Sequence, residues 1–102
     1  MQTLNLTKVQ HTKSVAILKA LACDKRLEIV ERLLSDERCC TNISNCVKLD
    51  ISTISRHMKE LEQAGIVKGN RQGKHINYVI INKKAVLHLL DSAAKIAKGG
   101  IT

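Results

Sequence analysis

Aliphatic residues along the 102-residue chain recur first at a helical spacing and then at a strand spacing, and the change marks out the elements. From about Lys8 to Ala22, the residues Val15, Leu18, Leu21 and Ala22 return every three or four positions, as one face of a helix requires. Asp24 follows as a candidate N-cap for a second helix with the stripe Leu27, Val30, Leu33 and Leu34. After the polar break Ser35-Asp36-Glu37-Arg38, a short third helix over Thr41–Val47 places Ile43, Cys46 and Val47 on one side. Asp50 is suited to cap a fourth helix, because its carboxylate can accept the unpaired amide hydrogens of a first turn. That helix turns Ile54, Met58 and Leu61 inward and ends at Gly65, which tolerates the left-handed C-terminal conformation.

The period then shortens. Ile66-Val67-Lys68 and the run His75–Ile81 are rich in β-branched residues, and the six residues Gly69–Lys74 between them form a basic, glycine-containing turn. A hairpin is predicted. The last helix, from about Asn82 to Lys98, is apolar over more of its circumference than one small core can cover, and Gly99-Gly100 stops it. The predicted fold class is mostly α with a small β-hairpin wing. It is a winged helix-turn-helix of about five helices and two strands, with residues 1–102 forming a single domain. Surplus apolar surface on the first and last helices predicts a homodimer built from them, with two-fold symmetry.

Charge narrows the partner. Seventeen Lys and Arg against nine Asp and Glu give a net charge of +8, which favours a polyanion. Double-stranded DNA suits the helix-turn-helix with its wing. With Ile54, Met58 and Leu61 turned to the core, Ser52, Thr53, Ser55, Arg56 and Lys59 face outward and His57 lies on the flank. Arg56 can bond a guanine edge or a phosphate, and the hydroxyls can reach bases and phosphates near the helix N-terminus. Glu60 and Glu62 are expected away from the duplex. Lys68, Arg71, Lys74 and His75 gather around the turn, where they can grip the backbone or the minor groove. No apolar run is long enough to span a bilayer, and the N-terminus lacks a signal peptide's apolar core, so a cytoplasmic protein is expected.

Three stretches resemble the ArsR/SmtB family of metal-responsive repressors. The residues Ala20-Leu21-Ala22-Cys23-Asp24-Lys25-Arg26-Leu27-Glu28-Ile29-Val30 resemble that family's second-helix start, and Ile54–Val67 resembles its recognition helix and first wing strand. Arg71-Gln72-Gly73-Lys74 with Tyr78 resembles its wing. The resemblance implies a homodimer that represses its own operon until a ligand weakens DNA binding. It also implies a Cys-x-Cys inducer site on the helix before the recognition helix. Here Cys39 stands at the first ligand position and Thr41 at the second. Asp50-Ile51 stands where the family often has Ser-Gln. The last helix carries only His88 and Asp91 among its aliphatics, which argues against the zinc or nickel site that other members hold there.

In a reducing compartment the four cysteines are metal ligands, redox sensors or small buried hydrophobes rather than structural disulfides. Cys39 and Cys40 precede a helix start beside Arg38, where free amides and a cation favour the thiolate. As(III), Sb(III), Cd(II) or Cu(I) would suit them as inducer, with Cys46 or Cys23 as a candidate third ligand and no cofactor otherwise required. Cys46, sharing a face with Ile43 and Val47, and Cys23, at a junction of helices, also read as core. An alternative is a ligand-free regulator or an architectural DNA-binding protein with structural cysteines. An enzyme is disfavoured, since the chain has no Cys-x-x-Cys, no βαβ pattern and no nucleotide-binding loop.

Overall fold

The computed structural model describes residues 4–35 and 40–99, the side chains of residues 40–42 and 75 excepted. Among these, five helices surround a two-stranded antiparallel hairpin, as the periodicity predicts. Helix α1 spans Lys8–Leu21, α2 Asp24–Leu34 and α3 Cys40–Val47. Helix α4 spans Ile51–Gln63, strands β1 and β2 run over Val67–Gln72 and His75–Ile80, and α5 spans Lys83–Ala97.

Local chemistry sets these boundaries. Thr7 opens α1 with a capping box: the Gln10 amide donates to its hydroxyl at 3.1 Å, and its own amide donates to the Gln10 side chain at 3.0 Å. Asp50 caps α4 and Asn82 caps α5 through their side-chain oxygens. Asp24, expected as a cap, is instead the first residue of α2, and Cys23 holds the N-cap position in extended conformation with no side-chain bond. The Asp24 carboxylate still complements the helix's positive end. The Arg26 Nε donates to the Ala20 carbonyl at 2.7 Å and fastens the corner between α1 and α2.

One aliphatic core joins α2, α3, α4 and β1 through fully buried side chains, namely Ile29, Val30, Ile43, Ile54, Met58, Leu61 and Val67. Tyr78 of β2 and Val86 of α5 close it. Helix α1 presents a different side from the one expected. Ala20 and Leu21 are buried and Ile17 packs beside them, while Val15, Leu18 and Ala22 are exposed. Residues 17, 20 and 21 share the core side, so Val15 and Leu18 are left for another surface. Helix α5 behaves likewise: it buries Val86 and exposes Leu87, Leu89 and Ile96.

The hairpin is longer than its apolar residues indicate. Pairing runs from Val67 with Ile80 to Gln72 with His75, leaving only Gly73-Lys74 as the turn, and the Ile81 amide extends the pairing to the Ile66 carbonyl at 2.9 Å. Gly73, with φ of +63°, supplies the positive φ that a two-residue turn needs at its first position. Polarity makes the stretch Gly69–Gln72 resemble a loop in the sequence. It pairs nonetheless, since a ribbon projecting past the core needs backbone hydrogen bonds and no buried side chains.

Gly69 faces Tyr78 across the hairpin, and a Cβ at that position would lie 2.8 Å from the Tyr78 ring and 3.1 Å from Ile76. The ring is buried and has little room to retreat. Gly69→Ala is therefore expected to destabilise the fold by about 1–3 kcal/mol through overpacking. A urea titration followed by circular dichroism checks it, and an unchanged midpoint would remove the packing claim.

Candidate nucleic-acid interface

The candidate surface begins with the turn between α3 and α4. The Ser44 hydroxyl donates to the Leu49 carbonyl, and the Lys48 and Leu49 amides donate to the Ser44 carbonyl at 2.9 and 3.3 Å. Lys48 takes the left-handed conformation with φ of +58°, unusual for a residue with a Cβ. Neither feature is visible in the sequence, where no glycine or asparagine marks the turn.

Asp50 then sets the helix start, its Oδ1 accepting from the Thr53 amide at 2.9 Å. The Thr53 hydroxyl and amide hold its carboxyl below the ordinary 3.8 against the opposition of desolvation, with the charge of Arg56 the smallest contribution. Ile54, Met58 and Leu61 are wholly buried and fix the helix's rotation. At about 100° per residue, Ser52, Arg56 and Lys59 lie opposite that stripe. All three are exposed. Thr53 and Ser55 occupy the two flanks and are half-buried, Thr53 with its amide committed to Asp50.

His57 is half-buried on the flank that Thr53 occupies. Burial first, and then the positive charges of Arg26 and Arg56, push its pKa below the ordinary 6.5 against the pull of Glu60. The imidazole is thus neutral at neutral pH.

The wing is arranged less tightly than expected. Arg71 and Lys74 are exposed near its tip. Lys68 is exposed too, but side chains alternate along a strand, so it points to the other face of the ribbon from Arg71 and about 10 Å nearer the base. His75 pairs with Gln72 at the first step after the turn, and its side chain lies outside the described residues. Glu62 has a role that charge alone did not suggest. Its Oε2 accepts the Gly69 amide at 3.2 Å, tying the end of α4 to the outer edge of β1.

The cysteines divide. Cys39 lies outside the described residues, and Cys40 opens α3 with its side chain likewise outside them. Cys23 is half-buried, while Cys46 is exposed, contrary to the core position expected of it. Ile43 and Val47, four residues apart, take the core side of α3 and turn Cys46 off it. Among the described residues no three His, Cys, Asp or Glu side chains converge as a metal site would require, and no helix is long and apolar enough to cross a membrane.

Known proteins share both sequence and shape. The profile of the bacterial regulatory protein, arsR family, matches residues 23–68. The cadmium resistance transcriptional regulatory protein CadC of Listeria innocua is 35% identical over 82 residues, covering 78% of this chain and 68% of that protein. The chain belongs to the ArsR family. Its fold matches HlyU from Vibrio cholerae with a TM-score of 0.73 at 28% identity, over 85% of this chain and 97% of that one. A homodimeric winged helix-turn-helix DNA-binding domain from Mycobacterium bovis superposes with a TM-score of 0.80 at 20% identity, over 95% of each chain. As an ArsR-family member the chain is a DNA-binding transcription regulator with a winged helix-turn-helix, as its sequence resemblance implied.

The Asp50 cap yields a signed pH effect. Its lowered carboxyl stabilises the fold above the ordinary carboxylate value, and that contribution is lost as pH falls through the folded value. Asp50→Ala should lower the melting temperature at neutral pH, whereas Asp50→Asn, which caps comparably, should largely retain it. Thermal melts over an acid series should show wild type and D50A converging; a constant gap would contradict the cap.

Proposed function

We propose that this ArsR-family chain is a sequence-specific repressor. It works as a homodimer, reading its operator through the outer face of α4 and releasing it when a thiol-binding ion or an oxidant reaches Cys39 and Cys40. The observation that carries the DNA half is the division of α4 into a wholly buried stripe and an opposite exposed face bearing Ser52, Arg56 and Lys59. Thr53, Ser55 and His57 border that face, and an exposed Arg can form paired hydrogen bonds to a guanine edge. Lys68, Arg71, Lys74 and His75 give the wing its phosphate contacts, from both sides of the ribbon.

The dimer reading draws on surface that the monomer leaves bare. Val9, Val15 and Leu18 of α1 and Leu87, Leu89 and Ile96 of α5 are exposed. An apolar groove of about 470 Å³ opens between these helices, walled by Ile17, Leu18, Ile66, Val86 and Leu89. Such contiguous apolar surface favours burial against a second copy. The homodimeric state named for the Mycobacterium bovis domain agrees with it.

For the inducer, the name of the CadC relative points to cadmium, a soft ion that prefers thiolates. As(III), Sb(III) and Cu(I) share that preference. In the sequence Cys39 immediately precedes α3 and Cys40 is its first residue, a helix start next to Arg38 of the kind that would favour thiolates, and Cys46 or Cys23 is the candidate third sulfur. Cytoplasmic thiols stay reduced and available for such an ion.

Fluorescence anisotropy on the protein's own promoter tests each part. Arg56→Ala should weaken specific binding by about 1–3 kcal/mol, and removing Arg71 or Lys74 should weaken all sequences alike and reduce the salt slope by about one per contact. Unchanged affinity in R56A would defeat the recognition reading. Cd(II), As(III) or a mild oxidant should release wild type but not the Cys39→Ser, Cys40→Ser double variant. Release that survives this double substitution would place the sensor elsewhere.

A further inference from the structure

The first residue of α4 is out of keeping with its surroundings. Ile51 is a large β-branched side chain, yet it is 51% exposed at the tip of a helix whose outer face carries Ser52, Arg56 and Lys59. Local packing does not require it. The apolar clasp across a capped helix start joins the residue before the cap to the fourth helical residue. Here those residues are Leu49 and Ile54, and Leu49 packs against the core. Ile51 lies on the flank between the buried stripe and Ser55, three residues before Ile54 and four before Ser55, and unlike the stripe it is left exposed at the helix's first position. Ser55 is half-buried, whereas Ile51 and Ser52 at the helix start are exposed.

We infer that Ile51 is a specificity-determining residue that packs against the 5-methyl group of a thymine in the major groove. This rests on the recognition reading of α4 and deepens it. A helix-turn-helix brings the N-terminal residues of its second helix to the base edges. Among the four bases, thymine alone offers an apolar group on that edge. A stiff branched side chain with few rotamers meets such a methyl at small entropic cost. Its neighbours Ser52, Ser55 and Arg56 supply hydrogen bonds, which cannot distinguish thymine from uracil, because the two differ only by the methyl. The Ile51 contact can.

The test begins with the best-bound duplex selected by wild-type protein from a random pool. Each thymine is then replaced in turn by deoxyuridine, and affinities are measured for wild type, Ile51→Ala and Arg56→Ala. Loss of one buried methyl contact should weaken wild-type binding about threefold to fivefold, so replacing the equivalent thymine in both half-sites should weaken it about tenfold to twenty-fivefold. I51A should bind the thymine and uracil duplexes equally, with an affinity near that of wild type for the duplex replaced in both half-sites. R56A should bind both more weakly while still preferring thymine. Because Ile51 is exposed, the melting temperature of I51A should match wild type. If no thymine is sensitive, or if I51A keeps the sensitivity, the assignment of Ile51 is overturned. If R56A binds as tightly as wild type, the fault lies in the recognition reading itself, which the methyl series then shows separately.

Discussion

Everything that α4 can do depends on the burial of Ile54, Met58 and Leu61, none of which retains any exposure. Burying an aliphatic side chain of this size contributes about 1.5–3 kcal/mol, so three of them hold the helix far more firmly than any one surface contact can. Their spacing fixes rotation as well as position: a residue can face outward at Ser52, Arg56 or Lys59 only because those three face in. The outer residues make no comparable contribution to the fold. Chemistry on that face is therefore free to suit a ligand, while the inner face is constrained by packing.

Rotation alone would leave the tilt of the helix loose, and three polar devices remove that freedom. The left-handed Lys48 and the Ser44 hydroxyl close the turn before α4, Asp50 fixes its first turn, and Glu62 ties its last turn to Gly69 of the wing. Left-handed backbone costs a residue with a Cβ about 1–2 kcal/mol, a strain that the surrounding bonds and the packing of Leu49 offset. The wing is fixed through a second contact at the same place. Gly69 lacks a side chain, so the Tyr78 ring can lie over it and join the ribbon to the core. Helix and wing thus share one joint, where the Glu62–Gly69 bond lies beside the Tyr78 contact.

The parts of this arrangement that were legible in the sequence are those that follow from period and capping. Ile54, Met58 and Leu61, the Asp50 cap and the Gly65 terminus each declare themselves by residue type and spacing, and all appear where expected. The β-branched runs on either side of the glycine-containing turn likewise mark the hairpin, and the family resemblance agrees with it. What stayed hidden depends on three-dimensional context. Polarity at Gly69–Gln72 concealed strand pairing that only the backbone requires. Helix α1 carries aliphatics on more than one side, so its period could not decide whether Ile17 or Leu18 faced the core. Cys46 lies one residue from Val47, and in a helix as short as α3 that step turns it from the core to solvent. Lys48 and Glu62 act through backbone geometry and a long-range bond, for which a sequence carries no local mark.

The proposed thiol trigger draws its leverage from the same rigidity. An ion held by Cys39 and Cys40 would sit at the start of α3, whose Ile43 and Val47 are buried in the core that anchors α4. Close-packed side chains do not yield gradually, so a shift of α3 must either be refused or carry α4 with it. In a two-fold dimer the two recognition helices must also match half-sites one helical turn apart, about 34–36 Å, and a small rotation of each adds at that distance. A ligand need not touch the DNA-reading face to weaken binding. It needs only to bind more tightly to the arrangement in which the two helices no longer match their spacing, and DNA must then weaken ligand binding by the same factor.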